Sequence, residues 1–144
     1  MDIKTERERA GLSQTQLARL ANIAPSNLSA IESGRRIPST HMMNRLSRAM
    51  RRPSAVLDEH RDEVRRIIQE CGGENPRVFG SVAKGQDTPT SDLDILVAVR
   101  PQNAWKFVSL QSRLRELLGV DVDVVTEKGL TDKHQRIIAE AVPL

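Results

Sequence analysis

Two short runs in the second half of the chain restrict its fold more than any other feature. Ser91-Asp92-Leu93-Asp94 opens the run Asp92–Val99, and Gly119-Val120-Asp121-Val122-Asp123-Val124-Val125 follows some 25 residues later. In each, aspartates alternate with aliphatic residues, and a two-residue period is that of a strand with one buried face. Leu93, Ile95 and Val97 are predicted to face a core. Asp92 and Asp94 then lie side by side on the other face, as do Asp121 and Asp123. Like charges that close repel and raise each other's pKa. A fold that keeps such a pair suits a hard cation, and oxygen donors favour magnesium. Adding a third carboxylate from the second run would let the cluster hold two ions, enough to clamp an in-line phosphoryl displacement.

Ahead of the first run, Arg77-Val78-Phe79 reads as a short strand entering Gly80-Ser81-Val82-Ala83-Lys84-Gly85. A strand, then Gly-Ser, then a helix start forms an anion site, because Gly80 lets a phosphate approach the backbone and the first helical N–H groups point at it. The Ser81 hydroxyl adds a donor. Lys84 is either a further phosphate contact or a solvated lysine. Between the two Asp runs, residues 104–118 read as one amphipathic helix with Phe107, Leu110, Leu114, Leu117 and Leu118 inward and Trp105 assigned to packing. A strand–helix–strand order makes that crossover right-handed. Leu57–Cys71 reads as one helix with Val64, Ile67, Ile68 and Cys71 on its apolar face, which makes Cys71 a core residue rather than a nucleophile.

The first half has a different character. Residues 1–57 hold ten Lys/Arg against four Asp/Glu, whereas residues 58–144 hold twelve against fifteen. A basic module beside an acidic one implies different partners, with a polyanion for the first. Its pattern is helical throughout: Ile3–Ala10 stopped by Gly11; a helix from Gln14 capped by Ser13 with Gln16 three residues on; a helix from Pro25 to Glu32 ended by Gly34; and a helix after Pro38-Ser39 carrying Met43, Leu46 and Met50. Leu17, Ala18, Leu20 and Ala21 form one buried stripe, and Ala24, Leu28 and Ile31 another. Arg51-Arg52-Pro53-Ser54 is the junction, giving domains 1–55 and 56–144.

The segment GLSQTQLARLANIAPSNLSAIESGRRIPS resembles the phage-repressor (Xre-type) helix-turn-helix family over residues 3–52, through Leu12-Ser13-Gln14, Leu17-Ala18, Leu28, Ile31-Glu32, Gly34 and Pro38. The resemblance implies a dimer on double-stranded DNA, with Gln14 on a phosphate. It turns Ser26, Asn27, Ser29 and Ala30 toward base edges and sets Arg35 and Arg36 near the backbone. The recognition helix has no Arg or Lys, so affinity is expected mainly from phosphates.

The pattern GSVAKG, then SDLD, then VDVV resembles the minimal nucleotidyltransferase branch of the nucleotidyltransferase superfamily over about residues 58–144, through a final helix near Ile137–Ala141. The expected fold class is α+β: an all-α helix-turn-helix domain followed by a small nucleotidyltransferase-fold domain with a mixed sheet. The resemblance places Gly80, Ser81 and Lys84 on the nucleotide. It makes Asp92, Asp94 and Asp123 the catalytic metal ligands, with ATP as substrate and two magnesium ions. It further implies an antitoxin that transfers AMP to a tyrosine of a HEPN-type toxin and regulates its own operon. Two alternatives stay open: a regulator whose second domain only senses nucleotide, and a small-molecule nucleotidyltransferase. The latter would be expected to need a substrate domain beyond these 144 residues.

Composition excludes other classes. The longest apolar run, Ile95–Val99, is far short of the ~20 residues a membrane helix needs. The charged start MDIKTERERAG does not read as a signal peptide. A single cysteine excludes a disulfide scaffold and suits a cytoplasmic location. His41, His60 and His134 are too scattered for a zinc site. The chain contains no tyrosine.

Overall fold

The computed structural model describes residues 2–130 and 135–144; His134 lies outside the described residues. The chain divides into two compact units, Met1–Arg52 and Pro53–Leu144.

Among its described residues the first unit holds four helices: α1 (Ile3–Arg9), α2 (Gln14–Leu20), α3 (Pro25–Glu32) and α4 (Thr40–Ala49). Their ends follow the local chemistry. The Ser13 side chain accepts from the Gln16 N–H while the Gln16 side chain accepts from the Ser13 N–H, a reciprocal cap. Pro25 occupies the first turn of α3, where its missing N–H costs nothing. Ser39 caps α4 through the Met42 N–H. Ile3, Leu12, Leu17, Ala18, Ala21, Leu28, Ile31 and Leu46 close one core. Leu20 and Ala24 depart from the predicted stripes. Leu20 is exposed, because Leu17, Ala18 and Ala21 already fill the inward face of α2, and Ala24 is the exposed N-cap of α3.

The second unit begins with α5 (Pro53–Glu59) and α6 (Arg61–Glu70). The single helix predicted over Leu57–Cys71 is in fact broken at His60, whose φ of −120° and ψ of 18° are not helical. Both pieces still bury their stripe: Val56, Leu57, Val64, Ile67, Ile68 and Cys71 enter one core with Leu93, Ile95, Val97, Leu110, Leu114, Leu118 and Val122. That packing is why α5 belongs to this unit. The order continues β1 (Gly73–Phe79), α7 (Gly80–Ala83), β2 (Leu93–Val99), α8 (Ala104–Phe107), α9 (Leu110–Leu118), β3 (Val122–Thr126), α10 (Gln135–Glu140) and β4 (Val142–Pro143).

The sheet runs β3-β2-β1-β4 and is mixed: β1 is antiparallel to β2 and β4, while β2 and β3 are parallel. Strand β1 starts four residues earlier than the sequence pattern predicts. Its first half, Gly-Glu-Asn-Pro, has poor strand character and joins the ladder only through a register shift between Glu74 and Arg77. Asn75 takes a left-handed φ of 48° there. Such an irregularity also accommodates Pro76, which has no N–H to pair. The predicted 104–118 helix is likewise two pieces, α8 and α9. Leu110, Leu114 and Leu118 are buried, but Trp105 is exposed rather than packed, with the Lys106 ammonium over its ring. Among the described residues no helix is long and apolar enough to cross a membrane.

Candidate active site and nucleic-acid interface

Three segments of the second unit converge at the Asp runs. Parallel pairing of β2 with β3 puts Asp94 directly beside Asp123, in the register Leu93↔Val122, Asp94↔Asp123, Ile95↔Val124. Neighbouring strands lie about 4.8 Å apart, so two carboxylates from residues 29 positions apart in sequence share one sheet face. The Leu93 N–H donates to the Asp121 carbonyl at 2.8 Å, which locks the start of this register. Asp92 immediately precedes β2 and is exposed, as are Asp121 and Asp123, while Asp94 is half-buried. Leu93, Ile95 and Val97 are fully buried on the opposite side, as the alternation requires.

The turn after β1 completes the site. Gly80 has a φ of 70°, and a Cβ at this position would collide with Oδ2 of Asp94. Glycine is therefore required twice over: for the left-handed backbone and for the close approach to the carboxylate. Ser81 follows in the first turn of α7, half-buried. Lys84 pairs with the Glu140 carboxylate at 3.4 Å, so a carboxylate competes with any phosphate for this ammonium.

Electrostatics mark Asp94 as the centre of the cluster. Burial first, then the neighbouring Asp123 and Asp92 charges, raise its pKa to about 6. None of the three carboxylates pairs with a Lys or Arg among the described residues. A set of unneutralised hard oxygens fits a divalent cation such as magnesium. As the side chains stand, no three acidic, His or Cys groups among the described residues are close enough to hold an ion. The donors would have to converge by side-chain rotation.

Two supporting residues were not singled out from the sequence. Asp87 is buried in the loop between the Gly-Ser turn and the Asp pair, and its Oδ2 accepts from the Ser54 N–H at 2.8 Å. It thus caps the first turn of α5. The Gln111 side chain of α9 accepts from the Val124 N–H at 3.1 Å, tying the crossover helix to the strand that carries Asp123. Neither contact leaves a periodic signal in the sequence.

In the first unit the predicted DNA-facing residues are present, but several are engaged with one another. Glu32, at the end of α3, accepts from Arg7 Nε at 2.7 Å and from Gln14 Nε2 at 2.5 Å. The Arg7–Glu32 pair is internal, with side-chain exposures of 10% and 3%, and Arg7 also donates to the Leu12 carbonyl at 2.8 Å. Gln14 is therefore oriented by the last turn of α3. Ser26 is exposed, and Asn27, Ser29 and Ala30 are half-buried. Arg35 donates to the Ser33 hydroxyl at 2.9 Å, and Arg36 donates to Asn27 Oδ1 at 2.7 Å.

A mixed sheet with a Gly-Ser turn against a cross-strand aspartate pair, in a chain that also has a two-helix turn unit, defines a nucleotidyl-transfer fold coupled to a helix-turn-helix. Comparison with known proteins agrees. A helix-turn-helix family model matches residues 3–57, and a nucleotidyltransferase domain model matches residues 57–144. This chain belongs to the nucleotidyltransferase domain family and carries an Xre-type helix-turn-helix domain at its N-terminus. It is similar to protein adenylyltransferase MntA of Thermococcus cleftensis, with 35% identity over 79 residues, 53% of this chain and 75% of that protein. It is also 33% identical over 88 residues to "Putative protein adenylyltransferase MJ0435" of Methanocaldococcus jannaschii, covering 60% of this chain and 95% of that one. A solved structure described as a "putative minimal nucleotidyltransferase" superposes with a TM-score of 0.58 at 38% identity, over 63% of this chain and 95% of the other.

Proposed function

We propose that the second unit transfers the adenylyl group of ATP to a tyrosine of a separate protein, a HEPN-type toxin, and so acts as its antitoxin. The first unit would bind double-stranded DNA as a dimer and regulate the operon. The observation that carries the enzymatic reading is the register pairing of Asp94 with Asp123 beside the Gly80-Ser81 turn. The names of similar proteins support protein adenylylation as the reaction class. The lack of any tyrosine in these 144 residues favours an acceptor on another molecule.

In this reading the backbone at Gly80 and the Ser81 hydroxyl hold the triphosphate. Asp92, Asp94 and Asp123 would hold magnesium, which supplies charge neutralisation at the phosphates and lowers the pKa of the attacking hydroxyl. The phenolic oxygen attacks the α-phosphorus in line. The bond to the bridging oxygen of the β-phosphate breaks, and pyrophosphate leaves. In this reading Asp123, exposed on the edge strand β3, also receives the phenolic proton. A phenol of pKa about 10 is easier to activate this way than an alcohol. The added phosphodiester gives the acceptor a negative charge, which opposes binding of an anionic substrate such as RNA.

The test is incubation with magnesium and ATP labelled at the α-phosphate, with and without the product of the neighbouring reading frame. Label on a tyrosine of that neighbour is the expected result. Label only on this chain, or only on an added aminoglycoside, would overturn the proposal.

A further inference from the structure

Helix α3 has no Arg or Lys, yet arginine is the side chain that most often reads a base, through a bidentate contact to guanine O6 and N7. The structure supplies one from outside the helix. The Arg36 N–H donates to the Ala30 carbonyl at 3.1 Å, which seats the residue just past the end of α3. Its guanidinium then runs back along the helix to Asn27 Oδ1, at 2.7 Å. Asn27 and Ala30 are i, i+3 neighbours on one helix face. A one-carbon side chain at Ala30 leaves that path open.

We propose that Arg36, not Asn27, is the base-reading residue of this face, and that Asn27 is a positioning residue that aims it. This assignment rests on the DNA-binding reading above and moves base reading from Asn27, where the family resemblance puts it, to Arg36. The amide oxygen of Asn27 engages a single guanidinium N–H. Arg36 carries five such donors in a rigid fork, so Nε and the second Nη group remain for a guanine edge. The preference would be for guanine at one position in each half-site.

The experiment is selection from a random DNA library by the full chain, with Arg36→Lys, Arg36→Ala and Asn27→Ala alongside the parent. Circular dichroism checks folding, and none of these substitutions opens the helical core. Parent protein is expected to enrich a motif with one guanine per half-site that depends on Arg36. Arg36→Lys keeps the charge but loses the fork, so discrimination at that position should fall by roughly 5- to 150-fold with most non-specific affinity retained. Asn27→Ala should blur the same position and no other. A motif unchanged in Arg36→Lys would overturn the inference. So would a uniform loss of affinity in Arg36→Ala across all sequences, with a salt slope lower by about 0.9, because that is the signature of a phosphate contact. Absence of any enriched motif with the parent chain would overturn the DNA-binding reading and this assignment with it.

Discussion

Replacing Asp94 by Asn should make the second unit more stable and at the same time inactive. Asp94 is ionised at neutral pH against its environment: burial and the Asp123 and Asp92 charges lift its pKa from 3.8 to about 6. An acid with a folded pKa above its unfolded value holds its proton more tightly in the folded chain. Its contribution to stability is therefore complete below about pH 3.8 and is lost as pH rises through about 6. The interval corresponds to at most about 3 kcal/mol, and solvent screening of a half-buried carboxyl reduces this to about 1–2 kcal/mol. Asparagine keeps the shape and cannot ionise. Asp94→Asn should thus melt above the parent at pH 8, by about 4–8 °C per kcal/mol for a unit of this size. The gap should close at pH 4, where the parent carboxyl is protonated too. Millimolar magnesium should raise the parent's melting temperature and leave the mutant's unmoved, while nucleotidyl transfer by the mutant is abolished. Scanning calorimetry of both proteins at the two pH values reads all of this. A mutant that is destabilised, or whose advantage is equal at pH 4 and pH 8, would refute the electrostatic argument.

Gly80→Ala should abolish transfer and destabilise the second unit by about 1–3 kcal/mol, since the new Cβ meets Asp94 Oδ2 and the backbone φ is left-handed; activity and a urea titration check it together. Glu32→Ala strands the internal Arg7 charge and should cost about 3–5 kcal/mol. Faster amide exchange in α1–α3, with β1–β3 unaffected, is the expected result. Asp87→Ala removes the cap from the first turn of α5 and should cost about 1–2 kcal/mol, measurable as a lower denaturation midpoint with unchanged slope.

The layout of the candidate site was legible in the sequence because its aspartates coincide with a strand period. Asp92 and Asp94, and likewise Asp121 and Asp123, alternate with aliphatic residues, and the burial of Leu93, Ile95, Val97 and Val122 follows from that alternation. The Ser13–Gln16 cap was equally local. What escaped detection depends on partners distant in the chain. The break at His60 and the split between α8 and α9 interrupt apolar patterns that continue unbroken on either side, so period alone joins them. The first half of β1 is a strand only because β2 pairs with it across an irregular register. Asp87, Gln111 and the Arg36–Asn27 contact are single polar side chains, each fixed by a backbone or side-chain group well removed in sequence.

The parallel pairing of β2 with β3 also bears on when the chain can become active. Asp94 and Asp123 meet only after the whole crossover through α8 and α9 has packed, because parallel strands cannot be joined by a tight hairpin. Such non-local pairings form late, once the loop-closure entropy has been overcome. A slip of one residue would turn Asp123 to the opposite face of the sheet. A partly folded, truncated or misregistered chain therefore has both aspartates but no paired site, and on the proposed function nucleotidyl transfer would report that the β2–β3 register has closed.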